Sequence, residues 1–330
     1  MAMTTFRDQI AANKRASFVL VFCFVLFVAA FAVLLAIAFL AFTTGRATWD
    51  EIYSGSIVGV IAAIVAALLC GAAYLGGENI VLGVSGAHPL HHSDDPELFN
   101  VVEETAIAAG VPMPRVYLIN DSAMNAFATG RNPENGIVAI TTGLRSKLTR
   151  DELQGVMAHE MGHIRNYDIR LMLLLAVLIG VIVMLSDFFW RALRSGAHWG
   201  GTSRYRNDES SNRRSEPGVA GIIIAVLVVL AFVLSIIAPI LAQIIQLAVS
   251  RKREFMADAS AVEFTRNPQG LIDALQKLSN DPEPLETANR GTAHMYIVNP
   301  IKRFSGFSNS MFSSHPPIED RIRALQGLQY

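Results

Sequence analysis

Four stretches of this chain carry no charged side chain over lengths that constrain the fold more than any other feature. Nothing between Arg15 and Arg46 is charged, and residues 18–42 are almost wholly Val, Leu, Phe, Ala and Ile. A helix needs about 20 such residues to cross the hydrocarbon core of a bilayer. The run at 52–77 is also uncharged and is interleaved with Ala and Gly, as in membrane helices that pack on a neighbour. A third run spans 171–186 and a fourth 217–250. The first run follows Arg7, Lys14 and Arg15, as a signal peptide would, but it is longer than a signal core and lacks a small-residue cleavage site, so it reads as an uncleaved anchor. Charged residues make up only 17% of the chain, against about 25% in ordinary globular proteins, which fits a membrane protein. The net charge of −1 gives no basic excess for a nucleic-acid partner. The two cysteines, Cys23 and Cys70, lie in apolar runs and supply no disulfide framework.

Basic residues near the span ends set the orientation. The N-terminal tail is basic, whereas the 43–51 connection sets Arg46 against Asp50 and Glu51, so the tail and the segment 78–170 are expected on the cytoplasmic side. The polar linker 191–218 carries six arginines. If runs three and four both cross, this loop lies outside against the positive-inside rule, and a re-entrant hairpin would avoid that conflict. Either way residues after 250 return to the side of residues before 170. The expected organisation is therefore residues 1–77 as tail and two transmembrane helices, 78–170 as the first part of a cytoplasmic domain, 171–250 as a second hydrophobic pair around the 191–218 loop, and 251–330 as the rest of that domain.

Within the polar segments, Asp95-Pro96 caps an amphipathic helix that Gly110 ends. Residues 115–119, 125–129 and 136–142 read as strands, with Asn-Pro-Glu-Asn-Gly at 132–136 as turn chemistry. Thr149 opens a helix expected to continue through His163 into the third run, and 254–264, 268–279 and 317–328 read as further helices. The class is α+β, interrupted by a membrane hairpin.

The chemistry sits at His159-Glu160-Met161-Gly162-His163, an H-E-x-x-H pattern. Four residues along a helix bring the two imidazoles to one face, where they can hold one ion with Glu160 beside it. A catalytic zinc takes three protein ligands and one open position. Among His88, His91, His92, His198, His294, His315 and the carboxylates, Glu254 stands out as the third ligand. With Asp258 it forms an i, i+4 acidic pair that makes better sense beside a dication than alone. Asp258 then accepts from the far nitrogen of a bound histidine. Zinc lowers the pKa of its water to about 7, and Glu160 takes the proton and delivers it to the leaving amine. Residues Asn125, Ala126, Phe127 and Ala128, with Thr129, suit an edge strand on which an extended substrate pairs through its backbone. His88, His91 and His92 read as a hydrated loop.

These motifs, with 125–130 (Asn-Ala-Phe-Ala-Thr-Gly), 139–144 (Ala-Ile-Thr-Thr-Gly-Leu), 304–307, Ser314-His315-Pro316-Pro317 and Arg321-Ile322, make the chain resemble the HtpX-type membrane metallopeptidases, relatives of the CAAX prenyl proteases, over nearly its whole length. The resemblance implies a multi-pass membrane protein with a zincin-like, gluzincin-type catalytic domain and one Zn2+ per chain. It implies an endopeptidase of the bacterial inner membrane that acts in quality control on misfolded membrane and soluble polypeptides, alongside other quality-control proteases. It also carries an oxyanion-donor role onto His315 and Arg321, although a proline-initiated helix accounts for both without catalysis. Two competing classes are a non-catalytic membrane scaffold or chaperone that keeps a zinc site, and a transporter. Structural zinc sites are usually closed by four ligands rich in Cys, which this segment lacks, and a transporter would place ionisable groups inside its spans.

Overall fold

Short runs of alternating or fully apolar residues, each closed by turn chemistry, give four strands, and the 3.6-residue periodicity gives the helices that cover them. In the computed structural model the described residues are 49–176, 251, 253–286, 292, 295–298 and 316–327, with scattered positions between 11 and 33. Helix α1 is Trp49–Val84, followed by β1 (Ala87–Pro89), α2 (Pro96–Ala109), β2 (Arg115–Ile119), β3 (Ala126–Thr129), β4 (Ile137–Thr141), α3 (Thr142–Lys147) and α4 (Arg150–Arg165). Helix α5 covers residues 168–176 and α6 residues 253–265; α7 is Pro268–Asn280 and α8 Ile318–Gln326. The Asp95 carboxylate caps α2 by accepting from the Leu98 amide, as its position before Pro96 predicts.

The chain divides into two compact units, one of residues 1–19, 72–177 and 243–330, the other of 20–71 and 178–242. The first holds a sheet of order β1-β2-β4-β3. β2 and β4 are parallel, and β1 and β3 run antiparallel to their neighbours. Every residue of β3 and β4 is buried, because both faces of the sheet are covered. One face packs with α2, α4 and α7 through Leu98, Val102, Val138, Ile140, Leu153, Met157 and Leu275. The other gathers Val81, Phe127, Ala139, Met172, Leu173 and Tyr296. Each large aliphatic buried here contributes roughly 1.5–3 kcal/mol.

In the second unit, α1 leaves Tyr53, Ile57, Val60, Ile61, Ile64, Val65 and Leu68 exposed. Among the described residues no single helix is long and apolar enough to cross a membrane, but Ala63–Ala72 and Tyr74–Val84, bent by 60°, pass that test together. Most of the first apolar run, the fourth run, the later part of the third and the 191–218 loop lie outside the described residues.

The helix expected to run from Thr149 into the third apolar run instead breaks. Asn166 caps α4, its amide donating to Gly162, and Tyr167 takes a left-handed φ of 59° before α5 begins. Two short elements, β1 and α3, were not expected; three residues and six residues respectively are too few to leave a periodic signal.

Candidate active site

Helix α4 starts from a reciprocal cap. The Thr149 hydroxyl accepts from the Glu152 amide, and the Glu152 carboxylate accepts from the Thr149 amide at 2.7 Å. Further along, two glycines let neighbouring helices close in. A Cβ at Gly155 would stand 2.7 Å from the Leu271 amide nitrogen at the start of α7, and one at Gly162 would stand 3.2 Å from the Cα of Ala257 on α6. Gly162 lies inside the H-E-x-x-H pattern, so the absence of its side chain is what lets α6 bring Glu254 up to the two histidines.

His159, His163 and Glu254 form the one group of three His, Cys, Asp or Glu residues among the described residues whose ligand atoms all lie within 4.8 Å of each other. His159 Nε2 and His163 Nε2 are 3.2 Å apart. Glu254 Oε1 is 3.4 Å from His163 Nε2, and Oε2 is 3.7 Å from His159 Nε2. Donors at the 2.0–2.2 Å typical of zinc stand roughly 3.4 Å apart at tetrahedral angles. The imidazole planes are perpendicular. Both the donor set and its spacing therefore fit a divalent metal.

Each histidine turns Nδ1 away from that centre onto a carboxylate. His159 Nδ1 donates to Asp258 Oδ1 at 2.9 Å, and His163 Nδ1 meets Asp168 Oδ2 at 3.1 Å. A carboxylate accepting at Nδ1 leaves Nε2 as the lone-pair nitrogen. Asp258 is gripped by Arg321, whose Nε and Nη2 donate at 2.8 and 2.6 Å, while Nη1 donates to the Ile297 carbonyl at 3.0 Å. Arg321 is fully buried. Burial opposes the Asp258 charge, yet the Arg321 guanidinium outweighs it and holds the carboxyl below its ordinary range. Nη1 also lies 3.4 Å from Glu254 Oε2, so Arg321, expected as an oxyanion donor, reaches the ligand carboxylate as well as bracing His159 through Asp258. His315, the other expected donor, lies outside the described residues, as do His198 and His294.

Glu160 is buried beside the histidines, its carboxylate oxygens without a side-chain partner and facing the Ala128 backbone amide of β3. Burial, with the Glu254 charge adding to it, pushes its acid up to about 7 against the opposing pull of His163, Arg321 and the Ala128 amide. A buried carboxylate that protonates near neutrality can both take and return a proton.

β3 is the edge strand of the sheet, as expected, but its edge is not open. Phe127 bridges Tyr296 antiparallel. The Ile297 amide donates to the Ala126 carbonyl at 2.9 Å, the Asn125 side-chain amide donates to the Val298 carbonyl at 3.0 Å, and the Tyr296 ring packs edge-on against Phe127. Asn125, Ala126, Phe127 and Ala128 are all buried. Residues 295–298 carry no motif that announces a pairing partner, so this cover was not legible in the sequence. Asp168 was missed as well, because its reach to His163 depends on the turn at Tyr167. His88 lies in β1, and His91 and His92 are exposed, away from any metal group.

The model of peptidase family M48 matches residues 92–329. A protease HtpX homologue from Dictyoglomus thermophilum is 40% identical over 322 residues, covering 98% of this chain and 94% of that protein. The homologue from Ligilactobacillus salivarius is 42% identical over 321 residues, covering 97% and 98%, and one from Listeria monocytogenes is 39% identical over 322 residues, covering 97% and 99%. A crystal structure of S. mikatae Ste24p aligns with a TM-score of 0.43 at 23% identity, covering 81% of this chain and 58% of that one.

Proposed function

The chain belongs to peptidase family M48 and is a membrane-associated metallopeptidase, and from that premise we propose that it is a zinc endopeptidase of the bacterial inner membrane in which Glu160 is the general base. The observation that carries this reading is the buried Glu160 carboxylate, without a side-chain partner, beside a donor triad spaced for a tetrahedral ion. Zinc, when bound, supplies Lewis-acid activation of water and of the scissile carbonyl. His159, His163 and Glu254 hold it, and Asp258 with Arg321 fixes the ring of His159 so that Nε2 stays the lone-pair nitrogen. Glu160 removes a proton from the attacking water and returns it to the amine of the departing peptide. The substrate is an extended polypeptide that pairs with Asn125–Ala128 through its backbone, in the place now held by residues 295–298, so that segment withdraws from β3 first. Backbone pairing suits a broad substrate range, which supports a role in clearing misfolded membrane and soluble proteins. The catalytic unit faces the cytoplasm on the positive-inside argument.

The test is cleavage of casein by purified full-length protein, with zinc content measured on the same sample. Glu160→Gln is expected to keep one zinc per chain and to lose cleavage. Undiminished turnover in the zinc-loaded variant would overturn the assignment.

A further inference from the structure

Each histidine is backed by an aspartate and an arginine, hydrogen-bonded to each other on the His159 side and ion-paired without a hydrogen bond from Arg253 Nη1 on the His163 side. His159 leans on Asp258, which leans on Arg321. On the other side His163 Nδ1 lies 3.1 Å from Asp168 Oδ2, and Asp168 Oδ1 lies 3.6 Å from Arg253 Nη1. Arg253 and Asp168 are both buried, and among the described residues Arg253 has no other carboxylate within ion-pair distance. A buried guanidinium with a single counter-charge is costly to leave unpaired, so the pair is held by more than surface chance.

The chain geometry gives this pair a purpose. In an unbroken helix a residue five places beyond His163 would point roughly 140° away from it. The left-handed turn at Tyr167 ends α4 and returns Asp168 to His163. Arg253 immediately precedes Glu254 on α6. Consecutive residues of one helix therefore address opposite nitrogens of the same ring, Glu254 facing Nε2 at 3.4 Å and Arg253 reaching Nδ1 through Asp168. We propose that Asp168 and Arg253 are positioning residues of the metal site, forming a second Arg–Asp–His chain that fixes the ring of His163 and registers α6 against α4.

This inference rests on the reading of His159, His163 and Glu254 as metal ligands, and the test separates the two. Zinc affinity is measured by chelator competition on full-length protein carrying Asp168→Asn, Arg253→Gln, both together, or His163→Ala, with melting of the metal-free proteins recorded alongside. Asp168→Asn is expected to weaken zinc binding about 10–100-fold, the range for carboxylates behind a metal-bound histidine. Arg253→Gln is expected to weaken it less, and to add nothing once Asp168→Asn is present, since the two act in series. The double variant leaves no unpaired buried charge, so its loss of affinity cannot be assigned to misfolding when its metal-free melting matches the parent. Wild-type affinity in Asp168→Asn, recovery in the double variant, or independent effects that multiply would each overturn the proposal. If His163→Ala also kept wild-type affinity, the ligand assignment itself would fall; loss in His163→Ala alone would sink only the brace.

Discussion

Helix α1 leaves Ile57, Val60, Ile61, Ile64, Val65 and Leu68 exposed, whereas α4 buries two histidines and a glutamate. Each arrangement would be expensive in the other's place. Aliphatic side chains in water forfeit about 25 cal/mol for every Å² of apolar surface left exposed, so α1 has an apolar face to cover. Ionisable groups out of water cost several kcal/mol each unless paired, so α4 makes sense only with Asp258, Arg321, Asp168 and Arg253 around it. One helix leaves an apolar face uncovered and the other is explained by its partners.

The largest effect that would break this contrast is at Glu160, the buried acid of α4 left without a side-chain partner. Glu160→Gln keeps volume and polarity, removes the base, and should lower kcat by about 10²–10⁴-fold while metal content is unchanged. On the α1 side, Ile64→Arg should cost about 3 kcal/mol of insertion free energy. The measurement is the inserted fraction of segment 49–84 in a translocon assay, and equal insertion would remove α1 from the membrane. A third measurement uses charge. Burial works against a protonated His163, but Asp168 and Glu254 outweigh it and raise the imidazole to about 10 in the metal-free protein. Metal must displace that proton, so zinc affinity should rise about tenfold per unit between pH 6.5 and 8, with calorimetry in two buffers recording about one proton released. A flat profile would mean that His163 is already neutral there. The smallest effect is expected at Gly162→Ala, where a Cβ 3.2 Å from Ala257 pushes α6 outward by a few tenths of an ångström. Overpacking of about 1 kcal/mol should appear as roughly a fivefold loss of metal affinity.

Much of α4 was legible because its signals are local. Thr149 and Glu152 announce the cap, and the four-residue spacing of His159 and His163 announces the ion. Glu254 and Asp258 were legible for the same reason, as an acidic pair on one helical face. Asp168, Arg253 and the seat of Arg321 were not, because each acts through a partner 5 to 90 residues away that only the packed helices bring near. The cover of β3 by residues 295–298 was hidden likewise, since strand pairing leaves no mark on a segment this short. The break at Tyr167 went unread because Asn-Tyr-Asp contains neither Gly nor Pro to punctuate a helix.

The proposed ligand set is itself split. His163 and Glu254 are about ninety residues apart in the chain, with the stretch 177–250 between them. A metal held by both is therefore a removable cross-link that closes a long loop. For a covalent bridge of that span the loss of chain entropy in the unfolded state corresponds to about 4–5 kcal/mol, an upper figure for a coordinate link. Chelation should accordingly act on the fold as reduction acts on a disulfide: α6 parts from α4 first, and the sheet, whose strands all precede the split, outlasts it.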